Sequence, residues 1–456
     1  MTITMPNDNI SERKYILDVL IDEFLGLKFE LDFTDLNEWQ ICLDNGKKLI
    51  IKDSFFCKFT ADFEYLKLEN IPNSVKFGKN KFTPEQDIPI LYGDECVEIR
   101  ENEIICGIDV FASSFFMLTR WEEYVNKVRD KHDRFPGKDS LACKFGFLNR
   151  PIVNEYTQML KNMIFYLDSN IKFKEHLTQT IVTCDVDEPF DYACYNIKNL
   201  IRRCGRDLLI RQDFKMPIDR IKRYILNKFD KSNTCKYDKN YIFEWYISIC
   251  GQNGLRPRFY FIPDNSEKGN GCYFLEDKKI QNLLKFIDDN DCEIGVHGSY
   301  NTYKDSIKMK KQKNTFENIC VKLDIKQKII GNRQHYLRWD SSITPKFLDE
   351  AGFEYDTTGS YADVAGFRYG VCYQFCMFDF LNRQKLNIKE LPLIVMESSV
   401  LEYMGFSYKD AIKYILNLKQ KCYKYDGNFV ILWHNSSFVQ KQDKRTFEEI
   451  LITNVK

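Results

Sequence analysis

Residues Ile181–Pro189 read Ile-Val-Thr-Cys-Asp-Val-Asp-Glu-Pro. The stretch opens with short apolar and β-branched residues, the composition of a buried strand. It closes on two acids, Asp185 and Asp187. Side chains two apart on a strand share a face, so both carboxylates look the same way, and Pro189 ends the pairing. Two like charges at the tip of a buried strand repel each other and are poorly solvated; a bound cation or a shared proton relieves that. A strand that simply runs out into water gives the same pattern, so the rest of the chain decides between the two readings.

Towards the C-terminus, apolar strand-like runs alternate with helical patterns. The runs are Ile181–Asp187, Arg258–Pro263, Glu293–His297, Ile329–Leu337, Glu354–Thr358, Leu391–Met396 and Phe429–His434. Helical spacing marks Tyr241–Gln252, Leu275–Asn290 and Thr344–Ala351. This alternation predicts an α/β fold with a parallel sheet, closed as a barrel or open, with right-handed crossovers. In such folds the chemistry collects where strands end. The residues there are Asp185, Asp187, His297, Arg333, His335, Tyr336, Asp356 and His434. A lone histidine in such a place is most often a core side chain bonded to a carbonyl. Three of the chain's 5 histidines beside a carboxylate pair form the pattern of a catalytic or metal site. Trp339, Tyr361, Phe367 and Arg368 follow strands four and five and suit either core packing or stacking on a sugar with a grip on an anionic group.

Towards the N-terminus the rhythm differs. Ser11–Leu25 reads as an amphipathic helix capped by Ser11, with Ile16, Val19, Leu20 and Phe24 on one face. Short strand-like runs follow at Lys48–Ile51, Phe63–Leu68, Ile88–Leu91 and Cys96–Arg100. A second helix is expected over Asp109–Asn126 and a third over Pro151–Leu167. Between these, the loop Arg129–Ser140 places His132 and Asp133 in solvent. The expected division is a smaller mixed α/β domain over 1–175 and the alternating domain over 176–456, in line with a length of 456 residues.

Composition narrows the function. A formal net charge of zero leaves no nucleic-acid footprint. Met1–Lys14 carries Asp8 and Glu12 and no apolar block, so no signal peptide is expected, nor is any apolar run long enough to span a bilayer. The 16 cysteines contain no Cys-x-x-Cys pair and are expected to be reduced thiols of a cytoplasmic protein. The insertion Asp191–Asn240 is basic, with Arg202, Arg203, Arg206, Arg211, Arg220, Lys222, Arg223 and Lys228. It reads as a solvated face or as a surface for the phosphates of an anionic membrane or a lipid-linked glycan.

The ordered set of motifs from 180 to 440 resembles the NodB-homology polysaccharide deacetylases, carbohydrate esterase family four. Thr183-Cys184-Asp185-Val186-Asp187 is similar to a stretched Thr-x-Asp-Asp, and His297-Gly298-Ser299-Tyr300-Asn301 to His-Ser/Thr-x-x-His. Arg333-Gln334-His335-Tyr336 is similar to Arg-x-Pro-Tyr, and Leu432-Trp433-His434 to Leu-x-His. The resemblance implies a distorted (β/α) barrel of seven or eight units and an N-terminal half like the accessory domain of a bacterial subgroup. It implies removal of an N-acetyl or related acyl group from an amino sugar or glycan in surface-polysaccharide synthesis. The roles it implies are Asp185 as base, Arg333 as the residue holding that base, the Tyr336 amide as oxyanion donor and His434 as acid.

The resemblance also implies a divalent metal, most simply Zn2+, on Asp187 and His297. Two departures bear on that metal. Asn301 stands where a second histidine ligand is expected, and His335 replaces a proline. Three arrangements follow: His335 completes the set, Asn301 coordinates through its oxygen, or no metal binds. Trp339, Tyr361 and Arg368 are the expected substrate contacts. The rival functions are a degenerate glycan-binding scaffold of the same fold and a glycosyltransferase using Asp185-Val186-Asp187 on a nucleotide sugar.

Overall fold

The computed structural model describes residues 1–210, 212, 214–229, 235–267, 269–271 and 273–455. The chain begins with β1 (Thr2–Pro6) and α1 (Ile10–Leu17), which continues as wider π-helical turns through Asp18–Phe24. The cap position belongs to Asn9 and not to Ser11; Asn9 takes a left-handed conformation (φ 43), which asparagine tolerates. Then come β2 (Glu30–Thr34), β3 (Glu38–Cys42), β4 (Lys48–Lys52), β5 (Lys76–Gly78), β6 (Ile88–Ile90), β7 (Gly93–Ile99) and β8 (Glu103–Ile108). Six of these make one mixed sheet in the order β2-β1-β3-β4-β8-β7, while β5 and β6 pair separately. The run Phe63–Leu68, expected as a strand, lies in turns, and Phe63 has a positive φ that breaks extension.

Asp109 ends β8 and starts α2 (Val110–Thr119), its carboxylate accepting from the Ala112 amide. The helix expected to continue to Asn126 is interrupted. Arg120 adopts φ 52, and α3 (Trp121–Val125) starts afresh beyond it. The short α4 (Leu141–Lys144) precedes α5 (Ile152–Leu167), which starts directly after Pro151 as expected.

The second sheet contains β9 (Gln179–Val186), β10 (Arg258–Phe261), β11 (Glu293–Gly298), β12 (Gly331–Gln334), β13 (Tyr355–Asp356), β14 (Phe375–Asp379), β15 (Gln384–Glu390), β16 (Val395–Met396) and β17 (Asn428–Leu432). All seven expected strands are present. The unexpected pair is the hairpin β14–β15. In β15, Leu386 and Ile388 turn inward between charged and polar neighbours, so the run reads as polar in sequence. The order is β14-β15-β13-β12-β11-β10-β9-β17-β16, parallel throughout except for that hairpin.

Tyr355 of β13 and Met396 of β16, near opposite ends of this order, belong to one small buried cluster with Ile181, Tyr260 and Val430. The sheet therefore curls until its inner face packs on itself. Among the described residues β14 and β16 do not pair, so the curl is a half-barrel and not a closed ring.

The remaining helices are α6 (Ile197–Leu209), α7 (Lys215–Phe229), α8 (Phe243–Gln252), α9 (Lys278–Asp288), α10 (Ser306–Lys322), α11 (Thr344–Glu350), α12 (Tyr408–Lys424) and α13 (Lys441–Ile452). No described helix is long and apolar enough to cross a membrane.

The two sheets share one hydrophobic core. Tyr15 stacks on Phe378 with ring centroids 4.6 Å apart. A buried polar clasp crosses the same boundary. Glu123 of α3 takes Arg368 Nη2 at 2.5 Å and Arg120 Nε at 3.0 Å, and Arg120 also reaches the Tyr361 hydroxyl at 2.7 Å. Burial opposes the Glu123 charge, but the two guanidinium groups overcome it and hold its carboxyl below the usual range.

Candidate active site

The register of the parallel strands builds the site. Leu432 of β17 pairs with Thr183 of β9, so two residues further on His434 and Asp185 leave the sheet side by side. His297 of β11 pairs with Arg333 of β12. Five expected side chains thereby meet in one cup. His297 Nε2 lies 3.3 Å from Asp187 Oδ1 and 3.7 Å from Asp185 Oδ2. His335 Nε2 lies 3.5 Å from Asp187 Oδ1. His434 Nε2 lies 3.9 Å from Asp187 and 4.0 Å from Asp185.

Three of these side chains fit a divalent ion. One ligand atom each from Asp187, His297 and His335 falls within 4.8 Å of the others. Ligands about 2.0–2.1 Å from a tetrahedral zinc lie roughly 3.3 Å apart, close to the 3.3 and 3.5 Å seen from Asp187 to the two histidines. The protonation pattern agrees. His297 Nδ1 faces the Arg333 carbonyl at 2.9 Å, which makes Nδ1 the N–H donor and turns Nε2 toward the cup. That Nε2 and Asp187 Oδ1 are buried without a hydrogen-bond partner. Burial favours a neutral His335 and holds its pKa below the ordinary value, against the pull of Asp187.

Asn301, the alternative ligand, is engaged elsewhere. Its amide donates to Glu267 at 3.0 Å and its oxygen accepts from Arg338 at 3.1 Å. Arg333 is fully buried; its Nη2 donates to Thr183 and Thr357, and its Nη1 stands 3.7 Å from Asp185 Oδ1. Asp356 leaves strand β13 away from the cup, bonded to Asn332 and Thr358.

Three expected substrate contacts are corrected. Trp339 is buried in the core, and Tyr361 and Arg368 are tied into the Glu123 clasp. Tyr361 and Arg368 hold the two sheets together, and all three present almost no surface to a ligand.

Three contributors were missed in the sequence. Glu397, directly after β16, accepts from His434 Nδ1 at 2.6 Å. The other two lie in the loop Arg129–Ser140, which is packed on the rim of the cup and not solvated. His132 Nδ1 is 3.1 Å from the Tyr300 hydroxyl, and its ring sits 4.7 Å from that of Tyr336. Arg134 donates to the Tyr336 carbonyl at 2.9 Å. Tyr336 and Leu337 both hold left-handed backbone angles, φ 62 and 54, which non-glycine residues adopt only when their surroundings enforce it.

A family of unknown function, DUF7033, matches residues 1–168. Among curated proteins, none matches the chain. Among solved structures, the chain is similar to a protein described as a polysaccharide deacetylase from Mycobacterium smegmatis, at 14% identity and a TM-score of 0.38, covering 62% of this chain and 86% of that one. It is also similar to the PuuE allantoinase, at 10% identity and a TM-score of 0.37 over 60% of this chain and 83% of that one. A third is a protein from Pseudomonas aeruginosa PAO1, also described as a polysaccharide deacetylase, at 10% identity and 0.36, covering 60% and 84%.

Proposed function

We propose that the chain is a hydrolase of a carbon–nitrogen bond, removing an N-acetyl or related acyl group from an amino sugar or glycan. In this reading residues 176–456 form the distorted barrel of the polysaccharide deacetylases, and residues 1–175 brace its rim. The observation that carries it is the meeting of Asp187, His297 and His335 with Asp185 on one side and the Glu397–His434 pair on the other. The motif order supports the same reading.

Asp187, His297 and His335 would hold a divalent cation, whose chemistry is to lower the pKa of a water towards neutrality. Asp185 takes the proton of the attacking water, and Thr183 and Thr357 hold Arg333 with its Nη1 3.7 Å from Asp185 Oδ1, a nearby positive charge for that carboxylate. Water oxygen bonds to the acyl carbon, the C–N bond breaks, and His434, protonated beside Glu397, gives its proton to the leaving amine. Arg134 holds the Tyr336 turn and so orients the Tyr336 amide for the developing oxyanion.

Acetate release from a panel of N-acetylated nucleotide-linked and lipid-linked sugars tests the reading. Release that is abolished by a chelator and falls on the order of a hundredfold in Asp185→Asn supports it. No release from any substrate by metal-loaded protein, or full activity of Asp185→Asn, overturns it.

A further inference from the structure

Helices α6 and α7, in the insertion between β9 and α8, carry an amphipathic pattern turned inside out. In α6, Ile197, Ile201 and Leu208 stand at i, i+4 and i+11, a single stripe. That stripe faces solvent, with Ile201 67% exposed. In α7, Ile218, Ile221, Ile225 and Phe229 repeat at i, i+3, i+7 and i+11. They also face outward, with Ile218 69% and Phe229 78% exposed. The inward faces carry Leu200 and Pro217 and, beside them, buried charges. Arg220 is buried and donates to Asp207 at 2.6 Å and to Asp191 at 2.7 Å. A helix of a soluble monomer places its apolar stripe on the core and its charges in water. Here exposed apolar stripes stand over buried charges, and an exposed apolar surface of this kind marks a docking site.

Charge identifies the partner. On α6, Lys198, Arg202 and Arg206 are exposed and follow one flank of the stripe; on α7, exposed Lys222 and Lys228 bracket it. None of the five is ion-paired among the described residues, whereas Asp191, Asp207 and Asp238 are buried. Arg211 lies outside the described residues. We infer that α6 and α7 dock on an anionic lipid bilayer, their apolar stripes entering the headgroup–acyl boundary and their flanking cations meeting lipid phosphates. A second copy of the chain is a poor occupant, because a two-fold contact would set these basic flanks against each other.

The docked helices adjoin the cup. Arg203 of α6 pairs with Glu188, next to Asp187, at 2.9 Å. Asn240 and Asn435, the latter next to His434, both donate to the Glu188 carbonyl. A chain held through α6 and α7 keeps its cup at the lipid surface, and its substrate class is then a glycan carried on a membrane lipid. That last step rests on the hydrolase reading; the docking itself does not.

The test is sedimentation of the full chain with vesicles of phosphatidylcholine alone or of equal parts phosphatidylcholine and phosphatidylglycerol. Wild type is expected to pellet with the anionic vesicles and to stay in solution with the neutral ones. Arg202→Glu/Arg206→Glu/Lys222→Glu should weaken binding about a hundredfold or more. Ile218→Gln/Ile221→Gln/Ile225→Gln, at exposed positions, should weaken it at least about tenfold with an unchanged melting temperature. Asp185→Asn should pellet like wild type, which separates docking from hydrolysis. Wild type left in solution with anionic vesicles, or a charge-reversed variant that pellets equally well, overturns the inference. So does a dimer in sedimentation velocity that the glutamine variant dissolves while vesicles bind neither protein.

Discussion

His434 Nδ1 and Glu397 Oε1 stand 2.6 Å apart, the histidine just past β17 and the buried glutamate just past its neighbour β16. Burial resists the imidazolium, but the Glu397 carboxylate outweighs it and lifts the His434 pKa to about 10. The donor form therefore persists through neutral pH.

Glu397→Gln keeps the shape and removes the charge, so the His434 pKa should fall back towards its ordinary value of about 6.5. The alkaline limb of the kcat profile is expected to move down by about two pH units or more, with at least about a tenfold loss at pH 8. An unmoved limb excludes His434 as the acid. Stability gives a second readout. A raised histidine pKa contributes stability that is fully present below about 6.5 and lost as pH rises through about 10. Wild type should lose melting temperature over that window, and Glu397→Gln should lack that component of the slope.

Metal content separates the ligand alternatives. His297→Ala and His335→Ala should each weaken binding of a divalent ion by more than the roughly 10–100-fold expected of an outer partner. Asn301→Ala, whose side chain among the described residues bonds Glu267 and Arg338, should bind as wild type does. Equilibrium dialysis with metal analysis reads both. Full binding by His335→Ala removes it from the ligand set.

Arg134 acts on the cup from the N-terminal half. Without its bond to the Tyr336 carbonyl, the strained pair Tyr336–Leu337 loses a restraint against backbone costs of about 1–3 kcal/mol per residue. Arg134→Ala should lower kcat on the order of tenfold with metal affinity unchanged, and Arg134→Lys, which keeps a donor, should recover part of it. Equal kcat in all three proteins rules the restraint out.

The clasp at Glu123 is a stability element. Glu123→Gln leaves Arg368 buried without counter-charge, while Arg120 keeps the buried Glu122 carboxylate at 2.7 Å, at a cost of about 3–5 kcal/mol in denaturant unfolding. A loss below about 1 kcal/mol would mean that water replaces the carboxylate.

Strand alternation and the polar residues at strand ends were legible because both are local patterns, and they located Asp185, Asp187, His297, Arg333, His335 and His434. Glu397 obeys the same rule one residue past the run Leu391–Met396, so the signal was there to be read. Arg134 left none. Its partner Tyr336 is 202 positions away, and a loop rich in charge looks solvated until the chain folds back on it. Trp339, Tyr361 and Arg368 failed for another reason: an aromatic or an arginine after a strand suits a buried inter-sheet contact as well as a binding surface, and only burial distinguishes them.

Glu123 is shared by guanidinium groups from either side of residue 175. A gene cut there would strand Arg368 in one polypeptide and leave Glu123 short of a cation in the other, with the Tyr15–Phe378 stack torn open between them. Any other partner for residues 1–168 must therefore bring its own basic residue to that spot.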